Sequence, residues 1–318
     1  MKALYVDLKG GLGFNISFAR VAKLLIKKGL KINVITPYWD VFLSANINFY
    51  KPNEYRDFIF DAKNENAEII ENRIYDMSDF IYKKLNYKDA WLKLLNTKET
   101  VTDEEYNKLD LNVCDSFPQI KTQVDSIVEE LKTKGFNDFI LVQFWGGQSP
   151  LVEVPNNDWS KVPYDFQNEP LRRHYPIDKA QKFVNLYHIK NPKTAIIQYS
   201  LPNEPKLEGT FTYTVPYLTY YELSKRAKEA ICIDSSLQHL ITGNCPITVL
   251  WGHSLPSNFG YSCNNNIIQN CRRDDILYFT ALGPSGARIE YIEPEKFMEE
   301  VTNKGNKNNE VKEGSKNE

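Results

Sequence analysis

The sequence predicts an α/β protein with two Rossmann-like domains, each built on a parallel sheet. Two consecutive strand–helix series support this prediction, and each opens with a strand that runs into a glycine turn, at residues 2–13 and 139–147. The chain has 318 residues, which is enough for two domains with a core of their own. We place the domains at residues 1–134 and 135–302.

The first series is a strand–helix–strand unit. Residues 2–8 form an apolar strand, Lys9-Gly10-Gly11-Leu12-Gly13 form a tight turn, and apolar residues recur at helical spacing over 15–28. Gly29 is a natural helix stop, and residues 31–36 are the next strand. A unit of this kind opens a parallel sheet with a right-handed crossover.

The segment from Tyr50 to Leu131 is less regular, with helical spacing over 67–95 and 120–131. A second alternating series follows it. Its strands are predicted at 139–144, 194–199, 230–233 and 247–250, and its helices at 177–187, 220–228 and 237–242. Residues 303–318 are almost wholly polar, so we expect a disordered tail.

Composition excludes several classes of function. Lys plus Arg number 39 against 41 Asp plus Glu, so the basic excess typical of nucleic-acid binding is missing. No apolar run reaches the roughly 18 to 20 residues of a membrane span. Asp7 comes too early for a signal peptide, and we therefore expect a cytoplasmic protein.

The cysteines give little reason to expect a metal. The five are widely spaced, without the close pairs of a zinc site. Cys263 and Cys271 with His253 form the one grouping that could contribute ligands. We predict no structural metal and no cofactor.

The most specific motif is the segment 233–239, Ile-Asp-Ser-Ser-Leu-Gln-His, followed by an apolar strand before Gly252. A strand ends at Asp234, two serines open a helix, and His239 lies one turn further on. Unpaired N–H groups and small hydroxyls at a helix start favour an anion such as a sugar diphosphate. The alternative is structural: Asp234 or Ser235 caps the helix and His239 is a satisfied core histidine.

This segment resembles the bacterial glycosyltransferase family 9, the heptosyltransferase-like enzymes of the two-domain GT-B fold. In that family an Asp, a small residue, a Gly or Ser and a His lie on the nucleotide-binding helix, and a Pro and a strand ending in Gly come next. The positions are occupied here by Asp234, Ser235, Ser236, His239, Pro246 and Gly252.

Further matches follow the same order along the chain and cover residues 2–40 and 139–262. The turn containing Gly11 and Gly13 resembles the first glycine turn of the family, where the backbone approaches a ligand. By resemblance, the other donor-binding positions are a phosphate-contacting turn, a cation for the diphosphate and an acid for the ribose hydroxyls. These are Gly147, Gln148 and Ser149 for the turn, Arg173 in Arg-His-Tyr-Pro for the cation, and Glu204 for the ribose.

The chain departs from the family pattern at one important position. Heptosyltransferases have an Asp directly after the glycine turn, taken to be the base that deprotonates the acceptor hydroxyl. Phe14 occupies that position and Asn15 follows it. Asp40 and Asp7, which follow the second and first strands, are the substitutes. Each has a structural alternative, as a turn former or a strand-end acid.

The resemblance implies an inverting, metal-independent glycosyltransferase. It would move a hexose or heptose from a nucleoside diphosphate sugar to a glycan, lipid or protein acceptor, in surface-glycan or protein glycosylation. Two other hypotheses remain. Phe14 at the base position favours a non-catalytic module that binds a nucleotide-sugar or a glycan, and a sugar-nucleotide epimerase or hydrolase would share the architecture.

Overall fold

The computed structural model describes residues 3–82, 85–146, 174–201, 204–252, 254–271 and 289–302. These residues fold into two parallel sheets with helices on both faces, which confirms the predicted fold class. No helix among them is long and apolar enough to cross a membrane. The tail at 303–318 lies outside the described residues.

The first sheet has the strand order β3-β2-β1-β4, and all of its strands are parallel. Its strands are β1 (Ala3–Asp7), β2 (Lys31–Ile35), β3 (Asn48–Tyr50) and β4 (Ile69–Glu71). The helices that accompany it are α1 (Leu12–Lys27), α2 (Trp39–Ser44), α3 (Tyr55–Asn64), α4 (Ser78–Ile81), α5 (Tyr87–Leu94), α6 (Asp103–Asn107), α7 (Val113–Ser116) and α8 (Pro118–Thr133).

Alternation along β1 assigns the helices to the two faces of this sheet. Val6 belongs to the apolar cluster that contains α1, while Tyr5 packs with Phe58 and Ala62 of α3 on the other face. A parallel sheet needs such cover on both faces, because its strands are apolar on both sides.

The second sheet has the order β6-β5-β7-β8-β9, again fully parallel. Its strands are β5 (Asp138–Gln143), β6 (Thr194–Gln198), β7 (Glu229–Ile233), β8 (Ile247–Trp251) and β9 (Asn265–Ile268). Its helices are α9 (Ile177–Lys190), α10 (Tyr217–Ser224), α11 (Ser236–Ile241), α12 (Pro256–Phe259) and a helix over 294–302. A short antiparallel pair, β10 (Asn270–Cys271) and β11 (Ile289–Glu290), completes the described part.

The two faces of the second sheet also bury different helices. On one face, Ile140 and Val142 pack with Phe183 of α9 and Phe297 of the last helix. On the other face, Leu141 belongs to the cluster that contains α10 and α11, and this cluster continues into the first domain. The two domains therefore share the apolar cluster between the sheets, and each keeps a separate cluster on the other face of its sheet.

One predicted element is wrong. The spacing predicts a helix over 67–95, but the structure has β4, a short 3-10 turn at Ile74–Asp76, α4 and α5 there. The three residues of β4 pair with the open edge of β1, at Tyr5, Val6 and Asp7. A strand of three residues is too short to show a period, so no local pattern indicates this tertiary pairing.

Candidate functional site

Each sheet contains one point where successive chain connections leave toward opposite sides. In the second sheet, β5 lies between β6 and β7, and α9 and α11 cover opposite faces. In the first sheet, β1 lies between β2 and β4, with α1 and α3 on opposite faces. Open α/β sheets bind ligands in the crevice outside the carboxyl ends of the strands at such switch points.

The crevice of the second sheet is formed by the residues that follow β5 and β7. The Ser235 hydroxyl donates a hydrogen bond to the Gln143 side-chain oxygen. Gly146 packs so closely on Ser235 that an added Cβ would lie 3.1 Å from the serine Cβ. His174 contacts the Gly146 carbonyl oxygen through Nε2 at 3.2 Å. The backbone after β5 therefore lies directly against the start of α11.

Asp234 holds this loop in place. The side chain is buried, and its carboxylate accepts hydrogen bonds from Gln238 Nε2 at 2.6 Å and from the Ser254 hydroxyl. These bonds tie the end of β7 to α11 and to the loop after β8. The structure thus gives Asp234 a positioning role that the motif alone could not distinguish from direct ligand binding.

Residues after β6 bring a third strand end to the same place. The Tyr199 hydroxyl lies close to Ser236 and to the Glu204 carboxylate. Burial raises the pKa of Tyr199 to about 12. Burial also raises the pKa of Glu204, although its carboxylate accepts the Leu201 N–H at 2.7 Å.

Asp40 faces the second domain across the cleft. It lies in the first turn of α2, and its carboxylate accepts hydrogen bonds from the Tyr217 hydroxyl and from the Val41 N–H. Burial raises the pKa of Asp40, and the two hydrogen bonds oppose that rise. Burial and the nearby Asp40 charge raise the pKa of Tyr217 well above its usual value, so this hydroxyl remains a donor.

Asp7 has a different environment. It is buried at the end of β1 and forms an ion pair with the exposed Lys9, with 3.1 Å between Nζ and Oδ2. In the strand alternation it shares a face with Tyr5, on the side covered by α3. Of the two predicted base residues, Asp40 is therefore the one in contact with the second domain.

The first glycine turn is fixed from the inside by Asn15. This buried side chain donates to the carbonyl oxygen of Gly11 at 3.0 Å and accepts from the Thr36 hydroxyl at 2.7 Å. Gly10 has a φ of +125°, a conformation that only glycine adopts without strain. Asn72, which follows β4, donates to the Lys9 carbonyl oxygen at 2.6 Å. The sequence shows Asn15 only as the residue that follows Phe14, and no motif indicates this role.

Gly13 packs against His239 of the second domain. An added Cβ would lie 2.7 Å from His239 Cδ2 and 3.3 Å from the Ser236 Cα. The imidazole is buried and shares a hydrogen bond with the Tyr261 hydroxyl at 2.9 Å through Nδ1. Close contact between α1 and α11 thus provides a reason for this glycine apart from ligand binding.

Arg20 is a further residue that sequence reasoning missed. It is 1% exposed and donates to the carbonyl oxygens of Tyr106, His239 and Thr242 at 3.0, 2.7 and 2.9 Å. Two of these carbonyls end α11, where the helix dipole favours a cation. The only sign of this role in the sequence is that a single arginine interrupts the apolar face of α1.

Phe14, at the position of the family base, is buried in an aromatic cluster. Its ring lies 4.6 Å from the Trp91 ring centroid and 5.7 Å from that of Tyr87. Tyr87 in turn packs on Phe259 of the second domain at 4.7 Å. Phe14 therefore contributes to apolar packing that extends from the first domain to the second.

Four of the predicted donor-binding residues, Gly147, Gln148, Ser149 and Arg173, lie outside the described residues. So does His253 of the metal grouping considered above. Within the residues that the structure does describe, no group of three His, Cys, Asp or Glu side chains could hold a metal ion.

Comparison with known proteins connects this architecture to solved glycosyltransferases. The structure of a family 9 glycosyltransferase from Veillonella parvula matches 95% of this chain and 96% of its own, with a TM-score of 0.59 and 13% identity. The iron-containing dodecameric heptosyltransferase TibC of enterotoxigenic E. coli, solved in complex with ADP-D-β-D-heptose, matches 88% of this chain and 67% of its own. Its TM-score is 0.52 and its identity 12%. No protein-family model matches the sequence, and no curated protein matches it. The chain thus has the family 9, heptosyltransferase-like fold.

Proposed function

We propose that this chain is a glycosyltransferase that takes a sugar from a nucleoside diphosphate donor. The observation that supports this most strongly is the convergence of three strand ends at the start of α11. Gly146 after β5, Tyr199 after β6 and Ser236 after β7 lie around one point at the switch of the second sheet. Ligands of open α/β sheets bind at this position.

The donor nucleotide lies on the second domain in this proposal. The diphosphate is held by backbone N–H groups at residues 234–236 and by Arg173, and Glu204 receives the ribose hydroxyls. Asp234 keeps the loop rigid through Gln238 and Ser254. Hydrogen-bond donors that are fixed before the reaction stabilise the negative charge that develops on the departing diphosphate. The TibC complex with an ADP-heptose is consistent with such a donor.

Asp40 is the proposed base. It takes the proton of the acceptor hydroxyl while the hydroxyl oxygen forms a bond to the anomeric carbon. The bond from that carbon to the diphosphate breaks at the same time, and its electron pair leaves with the phosphate oxygen. Attack from the face opposite the leaving group inverts the anomeric centre. The raised pKa of Asp40 suits a base, since it makes the carboxylate more basic than an exposed one.

Metal independence and the nature of the acceptor are parts of the proposal taken from the family resemblance. The acceptor, a glycan, lipid or protein, enters over the first domain between the glycine turn and α2. A non-catalytic nucleotide-sugar module is the second candidate, because Phe14 takes the place of the usual base and packs on Trp91.

A donor screen tests the proposal. Thermal unfolding is measured with ADP-, UDP-, GDP- and dTDP-sugars, because a ligand that binds only the folded state raises the melting temperature. The stabilising donor is then incubated with the protein, and free nucleotide and sugar products are quantified. We expect one donor class to stabilise the protein and to be consumed. If a donor stabilises the wild type and Asp40→Asn but neither protein consumes it, the result favours the binding module. If none of the four donors raises the melting temperature, the result contradicts both the transferase and the binding module.

A further inference from the structure

The face of the first sheet that α3 covers has a row of polar side chains where apolar side chains are expected. The register aligns Tyr5 on β1 with Asn33 on β2, and Asn33 with Asn48 on β3. Side chains aligned in this way share one face of a parallel sheet. Phe58 of α3 packs on Tyr5, at the β1 end of the row.

A cavity of about 730 Å³ lies over the β2–β3 end of this row. Its volume is typical of a site for a small molecule. The cavity is formed by the sheet face, by the start of β3 and by α3. The polar groups that line it are those of Tyr5, Lys31, Asn33, Asn46, Asn48, Tyr50, Asp61 and Glu65.

Asn33 gives the second, independent indication of a ligand. It occupies the middle of β2 between Ile32 and Val34 and is only 4% exposed. Its amide oxygen accepts a hydrogen bond from Asn48 at 3.3 Å, but its amide nitrogen has no partner among the described residues. An unsatisfied buried donor is costly, and such groups in native structures call for an explanation. A rotation of the Asn33 side chain toward the cavity would present this donor to a ligand oxygen.

The charges and rings of the lining identify the class of ligand. Two carboxylates, Asp61 and Glu65, face one cation, Lys31, which bonds to Glu65 at 2.6 Å. This negative balance disfavours phosphates and other anions. Tyr50 donates to Asp61 at 2.6 Å. The lining thus combines carboxylate acceptors, amide donors and tyrosine rings.

We propose that this cavity is a second saccharide-binding site, separate from the cleft. Neighbouring hydroxyls of a neutral sugar both donate and accept, so they can bond to Asp61 and to the Asn33 amide together. The apolar face of the sugar ring packs on the half-buried ring of Tyr50. The site lies on the α3 face, whereas the second domain contacts α1 on the opposite face. It does not depend on the transferase assignment.

Saturation-transfer NMR with glucose, galactose, mannose and N-acetylglucosamine tests this proposal in the full chain. We expect at least one of the four sugars to bind the wild type, with a dissociation constant in the millimolar range. Asn33→Val removes the unsatisfied donor, and Asn48→Ala removes its neighbour on the edge strand. Each is expected to weaken binding at least fivefold.

Two controls locate the binding. Asn265→Ala makes the same change on β9, the edge strand of the second sheet, and Ser236→Val alters the cleft; both should leave the affinity unchanged. Circular dichroism verifies folding, and if Asn33→Val does not fold, Asn48→Ala decides alone. The proposal is overturned if none of the sugars binds, if Asn48→Ala binds as tightly as the wild type, or if Ser236→Val abolishes binding.

Discussion

At the scale of single residues, Asp40 and Tyr217 join the two domains at the cleft. Burial raises the pKa of Asp40, and the hydrogen bond from Tyr217 opposes that rise because it stabilises the carboxylate. A base must be ionised to accept a proton. Donor turnover should therefore fall as the pH drops through the pKa of Asp40, above the range of an exposed aspartate.

Tyr217→Phe tests this relation. The substitution removes the hydroxyl that donates a hydrogen bond to Asp40. The Asp40 carboxylate is then less stabilised, and its pKa rises further. We expect the acidic limb of the kcat/KM profile for donor turnover to move to higher pH.

The matched control is Tyr220→Phe. Tyr220 belongs to the same helix, is buried, and donates to the Tyr213 carbonyl oxygen rather than to Asp40. The kcat/KM profile of Tyr220→Phe should keep the acidic limb of the wild type. A shift toward lower pH in Tyr217→Phe, or equal shifts in both variants, would show that Asp40 is not the titrating group.

Gly13 and Gly11 form a matched pair within one turn. A methyl group at Gly13 meets His239 Cδ2 at 2.7 Å, whereas at Gly11 it meets nothing within 4 Å. Overpacking of this kind costs about 1–3 kcal/mol, more than the gain from removing a flexible glycine. Gly13→Ala should lower the free energy of unfolding by about that amount, and Gly11→Ala should change it by less than about 0.5 kcal/mol. Urea unfolding measures both, and equal stabilities would show that the interdomain contact is looser than described.

At the scale of elements, α1 and α11 are held together by a buried arginine. Arg20 satisfies carbonyl oxygens at the end of α11 and the Tyr106 carbonyl oxygen, and its guanidinium lies 4.8 Å from the Tyr261 ring centroid. Arg20→Met keeps much of the volume but leaves these buried acceptors without a donor.

We expect Arg20→Met to destabilise the protein by about 2–4 kcal/mol in urea unfolding, from several lost bonds to buried carbonyls. Arg226→Met is the control. That side chain forms an ion pair with Asp125 at 2.7 Å but is 43% exposed, so its loss should cost no more than about 1 kcal/mol. An equally small effect at Arg20 would mean that the domains do not depend on this contact.

The periodicity of the sequence was sufficient for the regular elements and failed for the short ones. α1 and the strands β2, β5 and β8 all lie where spacing and apolar runs predicted them. β3 and β4 have three residues each, and they exist because β2 and β1 offer open edges. Their formation is decided by long-range hydrogen bonds, which no local pattern records.

The same limit applies to the candidate site. The motif located the turn at Asp234 and Ser235, but the partners of Asp234, at Gln238 and Ser254, depend on how two loops fold together. Asp40 is one of two candidates, and its contact with Tyr217 distinguishes it from Asp7, which pairs with Lys9.

At the scale of the whole molecule, two sheets bring their switch points to one cleft, and α1 and α11 pack between the domains. Fold similarity alone does not establish an activity, because one fold serves many functions. The proposed activity depends instead on the crevice beside Gly146 and Ser236, where a nucleoside diphosphate is expected to bind.

Calorimetric titration of nucleoside diphosphates into two serine variants tests that claim most directly. Ser236→Val places a branched apolar side chain at the start of α11, beside Tyr199, and Ser257→Val makes the same change in α12, where the side chain is exposed. We predict that ADP, UDP, GDP or dTDP binds the wild type and Ser257→Val alike, and that Ser236→Val weakens this binding at least tenfold. Unchanged affinity in Ser236→Val would contradict the proposed donor site.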